Sequence, residues 1–178
     1  MRNLSKIIVL TLSFLTLSLN SFAVPIEWTS GDHEIRAAIS ELSTYNNVTV
    51  SMYQGGAVGQ FYMYGNSAVT AYSDASSPVS YLYLYDNTSA TFHNGIGPMQ
   101  VYIEPESTAN IYLYAYDVEF DGGLHPELHG YWLSNNMLFN IYLNDTDDSA
   151  FSYFHVIPEP ATLALFALGG LLLRKRRK

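Results

Sequence analysis

The chain has 178 residues, no cysteine, and a formal net charge of −8 at pH 7, from 8 basic and 16 acidic residues. Its length is enough for one domain with a core of its own, and that core is not held by disulfides. Arg36 is the only cation between residues 24 and 173, where all 16 acidic residues lie, so this stretch carries a formal charge of −15. Such a surface repels nucleic acid, which we therefore do not expect as a partner.

Residues 1–23 have the build of a secretory signal peptide. Arg2 and Lys6 precede an apolar run over residues 7–19, and small residues occupy the −3 and −1 positions of a cleavage site between Ala23 and Val24. An uncleaved anchor is the alternative interpretation. The signal predicts passage through the Sec export machinery.

Residues 24–44 contain a pattern that predicts a short α-helix. Asp32 has the side chain of a helix N-cap, and the apolar residues that follow are spaced at i, i+3, i+4 and i+7. These residues are Ile35, Ala38, Ile39 and Leu42. We expect this helix to cap one end of the domain that follows.

Residues 45–155 change to a period of two, which is typical of strands. A short motif begins at Asn46 and recurs at Ser67, Thr88 and Ser107, and it places apolar residues in two columns with polar residues between them. The columns are Val48, Val69, Ala90 and Ala109; Val50, Ala71, Phe92 and Ile111; and, facing outward, Thr49, Thr70, Thr91 and Asn110. A second strand repeats in step and aligns Phe61, Leu82 and Val101, then Met63, Leu84 and Ile103, with an outward column of Tyr62, Tyr83 and Tyr102.

A unit of about 20 residues with two strands and two turns suits one coil of a β-solenoid. The sequence therefore predicts an all-β chain, built as a small parallel β-helix of about five coils spaced ~4.8 Å apart. An antiparallel β-sandwich is the alternative.

The C-terminal end of the chain has three parts in order. Pro158-Glu159-Pro160 precedes an uncharged stretch, 161–173, and then five cations, Arg174, Lys175, Arg176, Arg177 and Lys178. As a helix the uncharged part would span only ~20 Å, less than the ~30 Å of a bilayer core. We expect a marginal transmembrane helix whose basic tail stays in the cytoplasm.

Residues 156–178 resemble a PEP-CTERM sorting domain, a family found in Gram-negative bacteria that make exopolysaccharide. The resemblance implies that an exosortase of the inner membrane recognises Pro158-Glu159-Pro160 and processes the chain there. The precursor would be anchored in the inner membrane, and the product would reach the cell surface or the extracellular matrix. The segment 128–142 also resembles one that closes a parallel β-helix before this signal.

Three acidic or histidine-containing segments raise the question of a metal. They are His125-Pro126-Glu127-Leu128-His129, Asp117 to Gly122, and the cluster of Asp145, Asp147 and Asp148. Pro126 opposes a helix that would carry both histidines, and the second segment lacks the bidentate Glu of a calcium loop. We predict no metal site and no cofactor, with calcium as the alternative for the two Asp-rich segments.

The exported domain shows no motif of a catalytic site. With Arg36 as its sole cation it lacks the basic groups of a lyase, and no carboxylate pair stands out by spacing. We predict a non-enzymatic surface or matrix protein associated with exopolysaccharide. The alternatives are a carbohydrate-binding module that uses the Tyr62, Tyr83 and Tyr102 column, a polysaccharide-degrading enzyme, and a self-assembling filament subunit.

Overall fold

The computed structural model describes residues 25–72, 79–94, 100–122, 126–143 and 148–158. These residues form fourteen strands and one 3₁₀ turn, and they include no α-helix. The strands are β1 (Ile26–Trp28), β2 (Gly31–Ile35), β3 (Ala38–Thr44), β4 (Val48–Met52), β5 (Ala57–Met63), β6 (Ala68–Ala71), β7 (Val79–Leu84), β8 (Ser89–Phe92), β9 (Gln100–Ile103), β10 (Asn110–Leu113), β11 (Ala115–Asp121), β12 (Glu127–Trp132), β13 (Leu138–Leu143) and β14 (Phe154–Val156). The 3₁₀ turn, η1, is Asp148–Tyr153.

The strands stack as a β-solenoid of about four turns, slightly fewer than the five expected. From β1 to β10 successive strands alternate between two sheets, so each coil contributes one strand to each. Sheet A has the order β1-β3-β5-β7-β9-β13-β12-β11, and sheet B has the order β2-β4-β6-β8-β10-β14. From β1 to β10 every pair of neighbouring strands is parallel, which confirms the solenoid and not the sandwich.

The helix predicted within residues 24–44 is wrong. That segment forms β1, β2 and β3, the first strands of the stack, so the solenoid begins before residue 45. Leu42 pairs with Ile26 on one side and with Phe61 on the other, and its side chain is fully buried. Four apolar residues at helical spacing give only a weak local preference for a helix. Pairing with β5 overrides it because the neighbouring coil supplies both backbone partners and a core to pack against.

The register of sheet A is the predicted one. Leu82 pairs with Phe61 and Val101, and Tyr83 pairs with Tyr62 and Tyr102. In sheet B the columns are shifted by two residues at both ends. The inward columns are Val50, Val69, Ala90 and Ile111, then Met52, Ala71, Phe92 and Leu113. The outward columns are Thr49, Ala68, Ser89 and Asn110, then Ser51, Thr70, Thr91 and Tyr112.

The core lies between the two sheets along the whole stack. Every second residue is buried in β4, β6, β8, β9 and β10, and the same alternation holds in β5 from Phe61 and in β7 from Leu82. Phe61, Leu82, Phe92 and Ile111 are almost entirely inaccessible to solvent. Full burial of one such side chain stabilises the folded state by ~1.5–3 kcal/mol. Burial of this kind, and not disulfide bonding, stabilises a chain that has no cysteine.

The C-terminal end of sheet A departs from parallel coiling. β11, β12 and β13 pair antiparallel with one another, and β13 joins the stack by parallel pairing with β9. The segment expected to close the solenoid thus forms the β12–β13 hairpin. Trp132 and Phe139 of this hairpin are buried, with ring centroids 4.4 Å apart. We call β11, β12 and β13 the C-terminal cap.

Candidate functional site

The sorting segment starts at the edge of sheet B. β14 pairs in parallel with β10, and the backbone N–H of Ile157 donates to the Leu113 carbonyl over 2.8 Å. The chain is therefore held in the stack up to the residue before Pro158. The remaining sorting residues, 159–178, and the expected cleavage site at Ala23 and Val24 lie outside the described residues.

Pro158 lines a cleft of about 520 Å³ at this end of the solenoid. Its walls come from the start of β11, from the β12–β13 turn and from β14. The lining residues are Ala115, Tyr116, Asp117, Leu133, Asn136, Val156 and Pro158. The first residue of the predicted processing motif thus lies against the folded domain and not on a separate stalk.

Comparison with known families matches residues 156–178 to the model of the PEP-CTERM protein-sorting motif. The chain carries a PEP-CTERM sorting motif. The match begins at Val156, the last residue of β14, so the motif overlaps the final strand of the solenoid. No curated protein and no solved structure matches the chain.

The PEP-CTERM motif implies export, a membrane-anchored precursor, exosortase processing and sorting to the cell surface. Within the described ranges no helix is long and apolar enough to cross a membrane. The signal peptide and the apolar part of the motif fall outside those ranges, so both remain predictions from the sequence.

The predicted tyrosine column exists as a ladder on the outer face of sheet A. The rings of Tyr62 and Tyr83 are stacked, with centroids 4.5 Å apart and an interplanar angle of 11°. Tyr102 is 6.1 Å from Tyr83 and tilted by 47°. Stacking turns the faces of Tyr62 and Tyr83 toward each other, so a ligand would meet ring edges and hydroxyl groups. Burial, followed by the neighbouring Tyr83 and Glu41, raises the pKa of Tyr62.

A second tyrosine ladder runs along the adjoining corner. Tyr64 stacks on Tyr45 at 4.9 Å and on Tyr85 at 4.6 Å. Burial raises the pKa of Tyr85 to about 12, and the neighbouring Tyr64 and Tyr102 add to the effect. Sequence reasoning missed this ladder. The signal was present, because Tyr45, Tyr64 and Tyr85 recur along the chain at the same intervals as the coils.

A third aromatic ladder flanks sheet B. Tyr53 stacks on Tyr72 at 4.9 Å, Tyr72 on His93 at 5.8 Å, and His93 on Tyr114 at 4.0 Å. Burial lowers the pKa of His93. The guanidinium of Arg36 lies 4.1 Å from the ring centre of Tyr53 and closes the ladder at its N-terminal end. The sequence singled out none of these residues for a shared role.

A polar ladder follows the corner between the sheets. The Asn66 amide donates to Asn47 Oδ1 over 3.2 Å, the Asn87 amide donates to Asn66 Oδ1 over 3.0 Å, and the Thr108 hydroxyl donates to Asn87 Oδ1 over 3.1 Å. Each coil offers its neighbour the same bond, because equivalent side chains recur at the same place in successive coils.

The segment considered as a calcium loop forms a strand. Asp117 to Asp121 lie in β11, with a bulge between Tyr116 and Glu119 and a positive φ of 47° at Asp117. Phe120 pairs with the buried Leu128 and so lies on the core side of β11, where it is 44% exposed because β11 is the edge strand of sheet A. Val118 packs against the core from the same strand.

Only some of the other candidate metal ligands lie within the described residues. His125, Asp145 and Asp147 lie outside the described residues, and Asp148 begins η1. His129 Nε2 lies 3.2 Å from Glu119 Oε2, as a pair on the outer face of the C-terminal cap. In the described part of the chain, no group of three or more His, Asp or Glu side chains is placed to share a metal ion.

Proposed function

We propose that the protein is a non-enzymatic component of the cell surface or extracellular matrix that associates with exopolysaccharide. The observation that carries this proposal is the PEP-CTERM motif, which continues directly from the last strand of a solenoid. The motif implies delivery to the surface, and the solenoid is what is delivered.

The exposed surfaces of the solenoid suit a long, repetitive partner. Side chains of one kind recur along the axis, as tyrosines on sheet A, small hydroxylated residues on sheet B and amides at the corner. A polysaccharide is itself a repeating chain with hydroxyl groups along its length. Repeated donors and acceptors can bind it at many weak points, whereas a catalytic site concentrates a few groups at one bond.

The charge of the exported region limits which polysaccharide is suitable. Its formal charge of −15, from Arg36 and all 16 acidic residues, repels anionic chains. We therefore propose a neutral or cationic polysaccharide as the partner.

Fractionation of the native host tests the association. We expect the protein in the matrix fraction of the wild-type strain and in the free medium of a strain that makes no exopolysaccharide. The same distribution in both strains would contradict the proposal. Purified protein incubated with the host polysaccharide should release no reducing ends, and a steady release would replace the structural role with an enzymatic one.

A carbohydrate-binding role for the tyrosine column is the second candidate. It is favoured by the tilt of Tyr102, which is only half-buried and is not stacked face to face on either Tyr83 or Tyr85. Aromatic faces pack well against the C–H face of a sugar ring. We expect Tyr102→Ala to weaken binding to the host polysaccharide several-fold, and Tyr131→Ala, which removes an exposed tyrosine of the C-terminal cap, to leave it unchanged. Equal binding by both variants and the wild type would rule out this column.

A further inference from the structure

Exposed apolar side chains are concentrated at one end of the solenoid. Seven large apolar residues of the described chain are exposed, and six of them lie between β11 and β14. Tyr131, Leu138 and Tyr142 share the outer face of the β12–β13 hairpin, and together with Met137 of the connecting turn we call them the cap patch. Phe120 and Val156 lie apart from it, on the edge strands β11 and β14. Met137 and Leu138 are the most exposed, at 56% and 55%. Concentrated exposure of this kind marks an interaction surface more often than scattered apolar residues do.

The cap patch is at the end where the chain leaves the fold. β11 is the last strand of sheet A and β14 the last strand of sheet B, so both lie at the C-terminal end of the stack. Tyr131 pairs with Leu138 across the β12–β13 hairpin, and its ring stacks on Tyr116 of β11 at 5.6 Å, so the half-buried Tyr116 supports the patch from the next strand.

The short chain after Pro158 limits how far this end of the solenoid can lie from the membrane anchor. The uncharged stretch of the sorting motif starts at Ala161, three residues after Pro158. Three extended residues span at most ~11 Å. The hydrogen bond from Ile157 to Leu113 leaves no slack before Pro158. In the anchored precursor Pro158 is therefore within about 11 Å of the start of the apolar stretch, and the cap residues that share its cleft, among them Asn136 of the β12–β13 turn, lie close to the bilayer.

We propose that the cap patch rests on the headgroup region of a zwitterionic bilayer while the precursor is anchored. Tyrosine, leucine and methionine suit this region, because they combine apolar surface with, in tyrosine, a polar tip. The acidic residues Asp117, Glu119 and Asp121 of β11 and Glu127 of β12 lie on the cap itself, beside the patch, and they disfavour anionic lipid while tolerating zwitterionic headgroups. Release by processing would then free the patch for the next partner at the cell surface.

Tryptophan quenching in nanodiscs tests this contact with the full chain. The two native tryptophans are poor reporters of the cap surface, because Trp132 is buried and Trp28 is at the opposite end of the stack. Leu138→Trp places a reporter in the patch, and Thr49→Trp places a matched one on sheet B, four strand spacings or ~19 Å before β14. Circular dichroism confirms that both variants keep the fold.

We expect discs of brominated phosphatidylcholine to quench the added emission of Leu138→Trp several times more than that of Thr49→Trp. Replacing a third of the lipid with brominated phosphatidylglycerol should reduce this difference, because the acidic strands are repelled. Equal quenching of the two variants would overturn the proposal and would leave a protein, such as the processing enzyme, as the occupant. Equal quenching in both lipids would overturn its zwitterionic preference.

The inference rests on the anchored precursor and not on the proposed matrix role. Co-elution of the chain with the disc is therefore measured first. A chain that fails to co-elute would overturn the inference by removing the anchor, whereas a loss of polysaccharide association would leave it standing.

Discussion

The guanidinium carbon of Arg36 lies 4.1 Å from the ring centre of Tyr53, and Arg36 Nε donates to Glu34 Oε2 over 3.0 Å. The one cation of the exported region thus covers the end ring of the aromatic ladder on sheet B. An exposed cation–π contact contributes ~0.5–1 kcal/mol, which is a small part of the stability of a whole domain.

Replacing Arg36 measures this contact. We expect Arg36→Ala to lower the free energy of unfolding by about 1 kcal/mol. Arg36→Lys keeps the charge but loses the planar group that stacks on Tyr53, and its stability should lie between those of Arg36→Ala and the wild type. Urea unfolding at near-physiological salt gives both values, and an unchanged midpoint for Arg36→Ala would show that the contact does not contribute.

Alanine substitutions at two glycines with positive φ distinguish the energetic cost of a steric clash from that of backbone strain. Gly65 has φ 68°, and a Cβ there would lie 2.8 Å from the Asn46 backbone; Gly31 has φ 91°, with its nearest neighbour 3.9 Å away. Gly31→Ala should cost ~1–2 kcal/mol from the left-handed conformation alone. Gly65→Ala adds a backbone clash and should cost clearly more, as measured by thermal unfolding. Equal costs would mean that the coils at this corner are less tightly stacked than described.

The asparagine ladder predicts that the loss of stability on replacing an asparagine depends on its position in the ladder. Asn66 both donates and accepts within the ladder, whereas the described ladder gives Asn47 only the accepting role toward Asn66. At ~0.5–1.5 kcal/mol per bond, Asn66→Ala should destabilise by roughly twice as much as Asn47→Ala. Chemical unfolding of the two variants tests this, and an inverted order would argue against a continuous ladder.

Burial at the second tyrosine ladder predicts a loss of stability in alkali. The pKa of Tyr85 is raised from 10.0 to about 12, so the folded state holds this proton more tightly than the unfolded chain does. The resulting stabilisation is complete below pH 10 and is lost as the pH rises from 10 to about 12. Subtracting the ultraviolet titration curve of Tyr85→Phe from that of the wild type should leave a midpoint near the raised pKa; a midpoint at the ordinary pKa of a tyrosine would contradict the burial of this phenol.

Sequence periodicity predicted the solenoid and one of its two registers. The four residues from Phe61 and the four from Leu82 have the same pattern, each ending in Tyr, and this pattern correctly aligned Tyr62 with Tyr83. Tyr102 follows in the same register. In sheet B, Val50 pairs with Val69 and Val69 pairs with Ala90, so the step from β4 to β6 is shorter than the step from β6 to β8. A slip of two residues keeps every side chain on its face, so the pattern alone could not detect it.

The features that the sequence did not predict depend on contacts between residues that are far apart along the chain. Ile35 and Leu42 fit one helical face, and only the presence of β4 and β5 makes strands the better choice for them. The cation–π contact of Arg36 joins two residues that are well separated along the chain, and nothing local marks it. The cleft at Pro158 depends on β11 and on the β12–β13 turn, which belong to the antiparallel cap and so fall outside the parallel repeat.

The intact mass of the protein recovered from the surface and medium of its native host tests the central claim, namely export followed by sorting at the PEP-CTERM motif. We expect a species that begins at Val24 and ends near Pro158, with β14 still in the stack. A species that retains Lys178 would contradict processing, and the protein would then be a membrane-tethered solenoid.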